Sequence, residues 1–272
     1  MADLSILRRP FSVKRVPGFT TIALVTYVVL YAPIIILMVF SFNEGTSLAI
    51  WEGTSLKWYE RAWNNDAVQE AAVRSLLIAT FAATVATTIA TMAALATTRK
   101  KPFKGMIGIY ALINQPLMVP EIVTAVALLI FFAMIKVATG YTGIIFIVAA
   151  HTAFCTPFAY LPIRARLESM DLSLETAAAD LYATPWRTFR RVTLPLLWPG
   201  VIAGLMLAFV ISLDDVVITE FVKSAGQETL PTYMLGQLRR VVTPEVNAIS
   251  TALLVAGVVL VTLFFLLNRR RV

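Results

Sequence analysis

Read along the chain, long uncharged apolar stretches alternate with short charged ones. Five stretches without a formal charge occupy residues 16–43, 75–98, 137–163, 192–213 and 246–268. A sixth, 105–135, is interrupted only by Glu121. A helix needs about 20 mostly apolar residues to cross the hydrocarbon core of a bilayer. The pattern therefore predicts six spans, near 19–42, 75–98, 105–135, 141–161, 199–219 and 246–267. The expected fold is all-α, a polytopic membrane protein with one membrane domain over 19–267. A segment at 1–18 precedes that domain and a basic tail at 268–272 follows it. The third stretch would be about 46 Å long at 1.5 Å per residue. Its run from Asn114 to Pro120 holds two prolines, and each removes a backbone donor, so a break or tilt is expected there.

Composition removes the alternatives. The chain is 58% hydrophobic and 14% charged, with a mean hydropathy of +0.78. A soluble domain carries roughly a quarter charged residues and has nowhere to hide this much apolar surface. The one cysteine, Cys155, excludes a disulfide framework. The one histidine, His151, excludes an HExxH zinc site, and no metal site is expected. The net charge of +7 follows from position rather than from nucleic-acid binding. Of 23 lysines and arginines, 16 fall in the segments before span one, after spans two and four, and after span six. Basic residues collect on the cytoplasmic side, so both termini are expected inside. The first span has about 24 apolar residues and no small-residue cleavage site after it, which reads as an uncleaved anchor. The outer loop at 44–74 carries Trp51, Trp58, Tyr59 and Trp63. It reads as an interfacial helix with a tryptophan belt in preference to a ligand site.

One inner connection is long. Residues 162–198 form it, and 162–200 read PIRARLESMDLSLETAAADLYATPWRTFRRVTLPLLWPG. Asp171 or Ser173 can cap an alanine-rich helix over 174–182. Thr184 then caps a second helix with Pro185 at its first position. Trp186, Phe189 and Val192 share one face and Arg187, Arg190 and Arg191 another, with Pro195 and Pro199 expected to end the element before span five. Two short helices meeting at an angle at the membrane surface are predicted. Composition leaves two uses open: a small-residue face for close docking, or a basic loop lying on lipid headgroups.

The same loop resembles the EAA motif of type I ABC importer permeases. Ala177 and Ala178 match its alanines, Asp180, Leu181 and Ala183 match positions around its glycine, and Leu194-Pro195 matches its end. Thr176 stands where the glutamate usually is, with Glu175 one place earlier. Tyr182 replaces the glycine, and a tyrosine argues against a left-handed turn there. Residues 55–59 with 74–76, 115–117, 119–123, 212–217, 229–231 and 244–248 further resemble the second permease subunit of spermidine/putrescine importers. The resemblance implies the type I permease fold, with the loop docking into a cleft of an ATPase. Glu175, Thr176, Ala177, Ala178, Asp180, Leu181, Tyr182, Ala183, Leu194 and Pro195 would be the coupling residues.

Ionisable groups at membrane depth cost at least a few kcal/mol and ask for a function. Only acids occur within the spans: Glu121, Asp214 and Asp215. Glu121 and Asp214 sit at comparable depths, about 24 and 22 Å along helices of the same direction. A path lined by acids suits a cation or a neutral solute, and polyamines are cations. Adjacent residues on a helix point about 100° apart, so Asp214 and Asp215 cannot both face one path. Importers of anions in the same permease class carry a Gly-Glu pair near this place, which implies a structural part for Asp215 and a solute-facing one for Asp214. His151 is expected to be a buried hydrogen-bonding group, and Met118, Phe131, Phe132 and Met134 to be packing residues.

No G-x-x-x-x-G-K-S/T phosphate loop occurs, nor any nucleophile–base set. The chain is expected to be no enzyme and to bind no cofactor, with ATP and magnesium on a partner. The resemblance implies two ABC ATPase subunits, a homologous second permease, an extracytoplasmic solute-binding protein and a bacterial inner membrane. A stand-alone secondary cation transporter or channel would explain the acids but not the long loop; within the importer reading, another amine or an opine-like solute is the alternative cargo.

Overall fold

The computed structural model describes residues 18–47, 50–99, 103–240 and 243–268. The basic N-terminal segment up to residue 17, Lys100, Lys101 and the tail from Arg269 lie outside the described residues. Twelve α-helices are formed among those described, and the only strand-like feature there is the isolated bridge Asn43–Thr54. Six helices are long and apolar enough to cross a membrane. The described residues divide into two compact units, one within 18–62 and 243–252, the other within 63–240 and 253–268.

In the first unit, α1 (Phe19–Phe40) is apolar all round and buries none of its residues within the chain, as a helix facing lipid should. The turn after it is built on Asn43, which is fully buried. Its Nδ2 donates to the carbonyls of Ser47 (3.0 Å) and Ile50 (2.8 Å), and its Oδ1 accepts from the Glu52 N–H (2.9 Å). Trp58, on α2 (Lys57–Trp63), donates its indole N–H to the Asn43 carbonyl at 2.9 Å. Trp58 is therefore a core residue rather than part of a tryptophan belt, since its one donor has a buried partner. Trp51 and Trp63 remain exposed. Arg61 pairs with Glu245, at the start of α12 (Pro244–Asn268), at 3.3 Å.

The second unit is centred on α6 (Ile145–Ser169), with α3 (Asp66–Thr98) and α9 (Leu194–Asp214) packed on it and on each other. Lipid tails are as apolar as leucine, so helices in a bilayer associate through close packing and not through hydrophobic burial. The sequence supplies that closeness. On α3, Ala79, Ala82, Ala83, Ala86, Ala90 and Ala94 are all fully buried at helical spacing. On α9, Gly200 and Gly204 are four apart and both buried. A Cβ on Gly204 would stand 2.7 Å from the Ala159 carbonyl oxygen, and one on Gly200 would stand 2.6 Å from the Arg166 Cβ. A buried hydrogen bond of 2.8 Å between Thr97 and Tyr160 joins α3 to α6.

Three boundaries differ from the apolar pattern. α3 starts at Asp66, well before the uncharged stretch, because Asn65 caps it by accepting from the Ala67 N–H. The third stretch is two helices, α4 (Met106–Met118) and α5 (Glu121–Thr139), parted where Val119 is extended before Pro120. α9 ends at Asp214 and a new short helix, α10 (Val217–Val222), follows. Of the four residues expected to pack, Phe132 is buried and stacks on Phe146 at 4.9 Å. Met118, Phe131 and Met134 are exposed; in a membrane chain, lipid or another subunit can cover what a soluble core would hide.

Candidate functional site

The long loop forms a protruding helix pair. α7 (Ser173–Asp180) buries none of its residues, and α8 (Pro185–Thr188) follows after one turn. Asp171 receives the N–H and the hydroxyl of Ser173 at 2.9 and 2.7 Å, which starts α7 and holds the exposed Asp171 carboxyl below its ordinary value. Thr184 caps α8 by accepting from the Arg187 N–H, with Pro185 at the first helical position.

At the end of α7, Tyr182 has φ 55°, in the left-handed region. The left-handed turn is thus present despite the missing glycine. Its hydrogen bonds explain it: Ala183 N–H reaches the Ala178 carbonyl (3.0 Å) and Tyr182 N–H the Ala179 carbonyl (2.9 Å), the pair that closes a Schellman motif. Those bonds offset the roughly 1–2 kcal/mol that a Cβ costs in this conformation. The turn projects Leu181 and Tyr182 outward, 82% and 94% exposed. Thr176, Ala177 and Asp180 are also exposed, whereas Ala178, Ala183 and Leu194 are half-buried and Pro195 is exposed.

One feature of the loop departs from the sequence reading. Pro195 and Pro199 do not end an element: α8 runs through a π-helical turn (Phe189–Thr193) directly into α9. The wider turn makes room for the Pro195 ring, which in a regular helix meets the carbonyl four residues back. Glu175 turns inward. Its Oε1 accepts from Arg99 Nε at 3.1 Å and from the Thr193 hydroxyl at 3.0 Å, so it is occupied within the chain. Thr176 returns its hydroxyl to the Leu172 carbonyl at 3.1 Å.

The three acids expected at membrane depth lie at helix ends, Glu121 first in α5, Asp214 last in α9 and Asp215 just after it, and differ in their partners. Asp215 is 7% exposed, and its carboxylate accepts from the N–H groups of Ile218 (3.3 Å) and Thr219 (2.8 Å) and from the Thr219 hydroxyl (2.7 Å). It thereby caps α10, which is why α9 stops one residue earlier. His151, 1% exposed, lies between Ser212 (Nδ1 to Oγ, 2.7 Å) and Thr219 (Nε2 to Oγ1, 2.9 Å), with Asp215 Oδ2 at 3.3 Å from Nε2. A neutral ring protonated at Nε2 satisfies the whole chain of bonds. Ser212 donates to Nδ1, Nε2 donates to Thr219, and Thr219 donates to Asp215. Glu121, first residue of α5, brings its side chain beside that of Asp215. Asp214 is exposed on the chain surface. The three acids thus share one neighbourhood, with Asp214 turned out of the chain, Asp215 turned in, and Glu121 half-buried between α5 and α10. Among the described residues no group of His, Cys, Asp or Glu is arranged to hold a metal ion.

Sequence reasoning missed Ser212, Thr219, Arg99 and Thr193 as members of these clusters. Aspartate is itself a favoured helix-capping residue, a signal at Asp215 that periodicity alone does not read.

Residues 86–270 match the family model described as binding-protein-dependent transport system inner membrane component. The chain belongs to this family. Its relatives include the putrescine transport system permease protein PotI of Escherichia coli K12, 37% identical over 99% of this chain and 95% of that one. The spermidine/putrescine transport system permease protein PotC of Haemophilus influenzae is 39% identical over 90% and 94%. Among solved structures, a chain of a bacterial ABC transporter that imports the acidic polysaccharide alginate superposes with TM-score 0.69 at 16% identity, covering 93% of this chain and 98% of that one. The MetNI methionine transporter in an inward-facing conformation gives 0.59 at 18% identity, over 78% and 95%. The fold is that of ABC importer permeases, and the chain is a multi-pass membrane permease subunit.

Proposed function

We propose that this permease subunit forms half of the path of an ATP-driven importer of polyamine-like cations, and that it receives mechanical work through α7. The exposed α7 helix and its apolar tip carry the reading. A helix with no buried residue, ended by an unfavourable but fully hydrogen-bonded turn, is shaped to enter a complementary surface on another protein. The relatives' names support putrescine or spermidine as solute, and the acids at membrane depth suit a di- or triamine. Asp214, turned out of the chain, is the one placed to face solute at a boundary with a second permease. Asp215 serves to cap α10 and hold His151. Both termini face the cytoplasm of a bacterium in this reading, two ABC ATPase subunits supply the energy, and an extracytoplasmic binding protein delivers the solute. Alternating access follows when ATPase closure moves α7 and rocks this chain against its partner permease.

Purification in mild detergent tests the assignment. An ATPase and a second permease should accompany the chain in fixed ratio. A lone chain that catalyses ion-driven amine uptake would establish the secondary-transporter alternative instead.

A further inference from the structure

The geometry points to Glu175 as an internal latch: a positioning residue that ties the docking helix to α3 and α9 at once, and not a group that grips the ATPase. This inference rests on the proposed coupling role of α7.

α7 has no buried side chain to anchor it, so its polar contacts and its two chain ends must hold it. One carboxylate oxygen of Glu175 receives both Arg99 Nε and the Thr193 hydroxyl. Arg99 is the C-cap residue of α3. Thr193 is the last residue of the π-helical turn and is buried at 4% exposure. A single side chain therefore joins the protruding helix to the two long helices that pack on α6. The Arg99 and Glu175 side chains are 16% and 23% exposed, so the pair is shielded well enough to act as a fixed connection where a surface pair would not. Arg99 Nη2 is buried with no hydrogen-bond partner among the described residues. Removal of Glu175 thus strands a shielded charge and lets α7 move without drawing α3 and α9 along.

The π-turn gives the latch its consequence. Such turns interrupt regular helix pairing and recur at functional positions. Here the turn lies between α8 and α9, and Thr193 crosses back from it to α7. With the latch closed, a displacement of α7 is carried into α9, whose far end is Asp214 beside the acidic neighbourhood. With it open, the displacement is absorbed in the turn.

The test uses the complete transporter in proteoliposomes, with ATP hydrolysis and putrescine uptake measured on the same preparation. Glu175→Gln and Arg99→Gln should leave the amount of bound ATPase subunit unchanged while uptake per ATP falls about tenfold, within the range of ordinary coupling free energies. Thr193→Val, nearly isosteric, should give a smaller loss in the same ratio, and its yield and melting temperature report whether folding is intact. The double exchange Glu175→Arg with Arg99→Glu should recover part of the ratio, which a merely structural lesion would not. Loss of the ATPase subunit from Glu175→Gln would make Glu175 a docking group and overturn the latch. An unchanged uptake-to-ATP ratio in all variants would overturn it too. Failure of the wild-type chain to bind any ATPase would instead remove the coupling role itself.

Discussion

Gly204 offers the sharpest physical test of how α9 sits on α6. A methyl group there would lie 2.7 Å from the Ala159 carbonyl oxygen and 3.1 and 3.2 Å from the Ile163 side chain. A relaxed carbon–oxygen contact is about 3.3 Å or longer, so the helices must part by roughly 0.6 Å. A gap of that size forfeits about a quarter or more of each dispersion contact along the crossing. Overpacking of this kind costs about 1–3 kcal/mol, while the change from glycine to alanine returns up to about 1 kcal/mol of helix propensity. Gly204→Ala should therefore fall up to about 2 kcal/mol below wild type, and about 1–3 kcal/mol, or roughly 2–12 °C in melting temperature, below a glycine-to-alanine change made in open space. A methyl group on Gly108, in α4, would meet nothing within 4 Å, so Gly108→Ala should melt at or slightly above wild type. The assay is thermal unfolding of the purified protein in detergent, followed by size-exclusion profile. A Gly204→Ala protein that melts as high as Gly108→Ala would refute the close crossing.

Other outcomes follow from the site. Replacing Ala177 with tryptophan should abolish uptake and ATPase coupling while membrane insertion, seen by fractionation, is normal. Tyr182→Gly should keep the left-handed turn and Tyr182→Pro should break it, because proline fixes φ near about −65°; ATPase pull-down separates the two. His151→Phe leaves Ser212 and Thr219 each one hydrogen bond short, at about 1–3 kcal/mol for each buried group, so about 2–6 kcal/mol of stability should be lost in a melt. Asp214→Asn should slow amine uptake with assembly intact, whereas Asp215→Ala should lower stability by uncapping α10, by about 0.5–2 kcal/mol.

Much of the fold can be read from the chain because membrane spans are written in one dimension. A stretch that must satisfy its own backbone in lipid is a helix wherever it is long and apolar enough, and all six stretches carry helices. The break at Val119-Pro120 and the cap at Thr184 are equally local, each set by one proline and its neighbours. Three-dimensional pairings are not local. Nothing in the spacing ties Glu175 to Arg99, 76 residues away, or His151 to Ser212, 61 away. Tyr182 shows a different limit: conformational preference opposes the turn, and hydrogen bonding to Ala178 and Ala179 prevails. Pro195 shows a third, since the π-turn before it lets the helix run on where a proline would stop it; Pro199 lies within α9 without such a turn around it.

In this account the subunit holds no motor and moves solute only when driven through α7. Putrescine accumulation in proteoliposomes measures that dependence directly, with the chain reconstituted alone or with its copurified ATPase and second permease. Accumulation is predicted only for the complete assembly, only with binding protein outside and ATP inside, and not when Ala177 is replaced by tryptophan. Accumulation by the lone chain, driven by an ion gradient, would contradict the account.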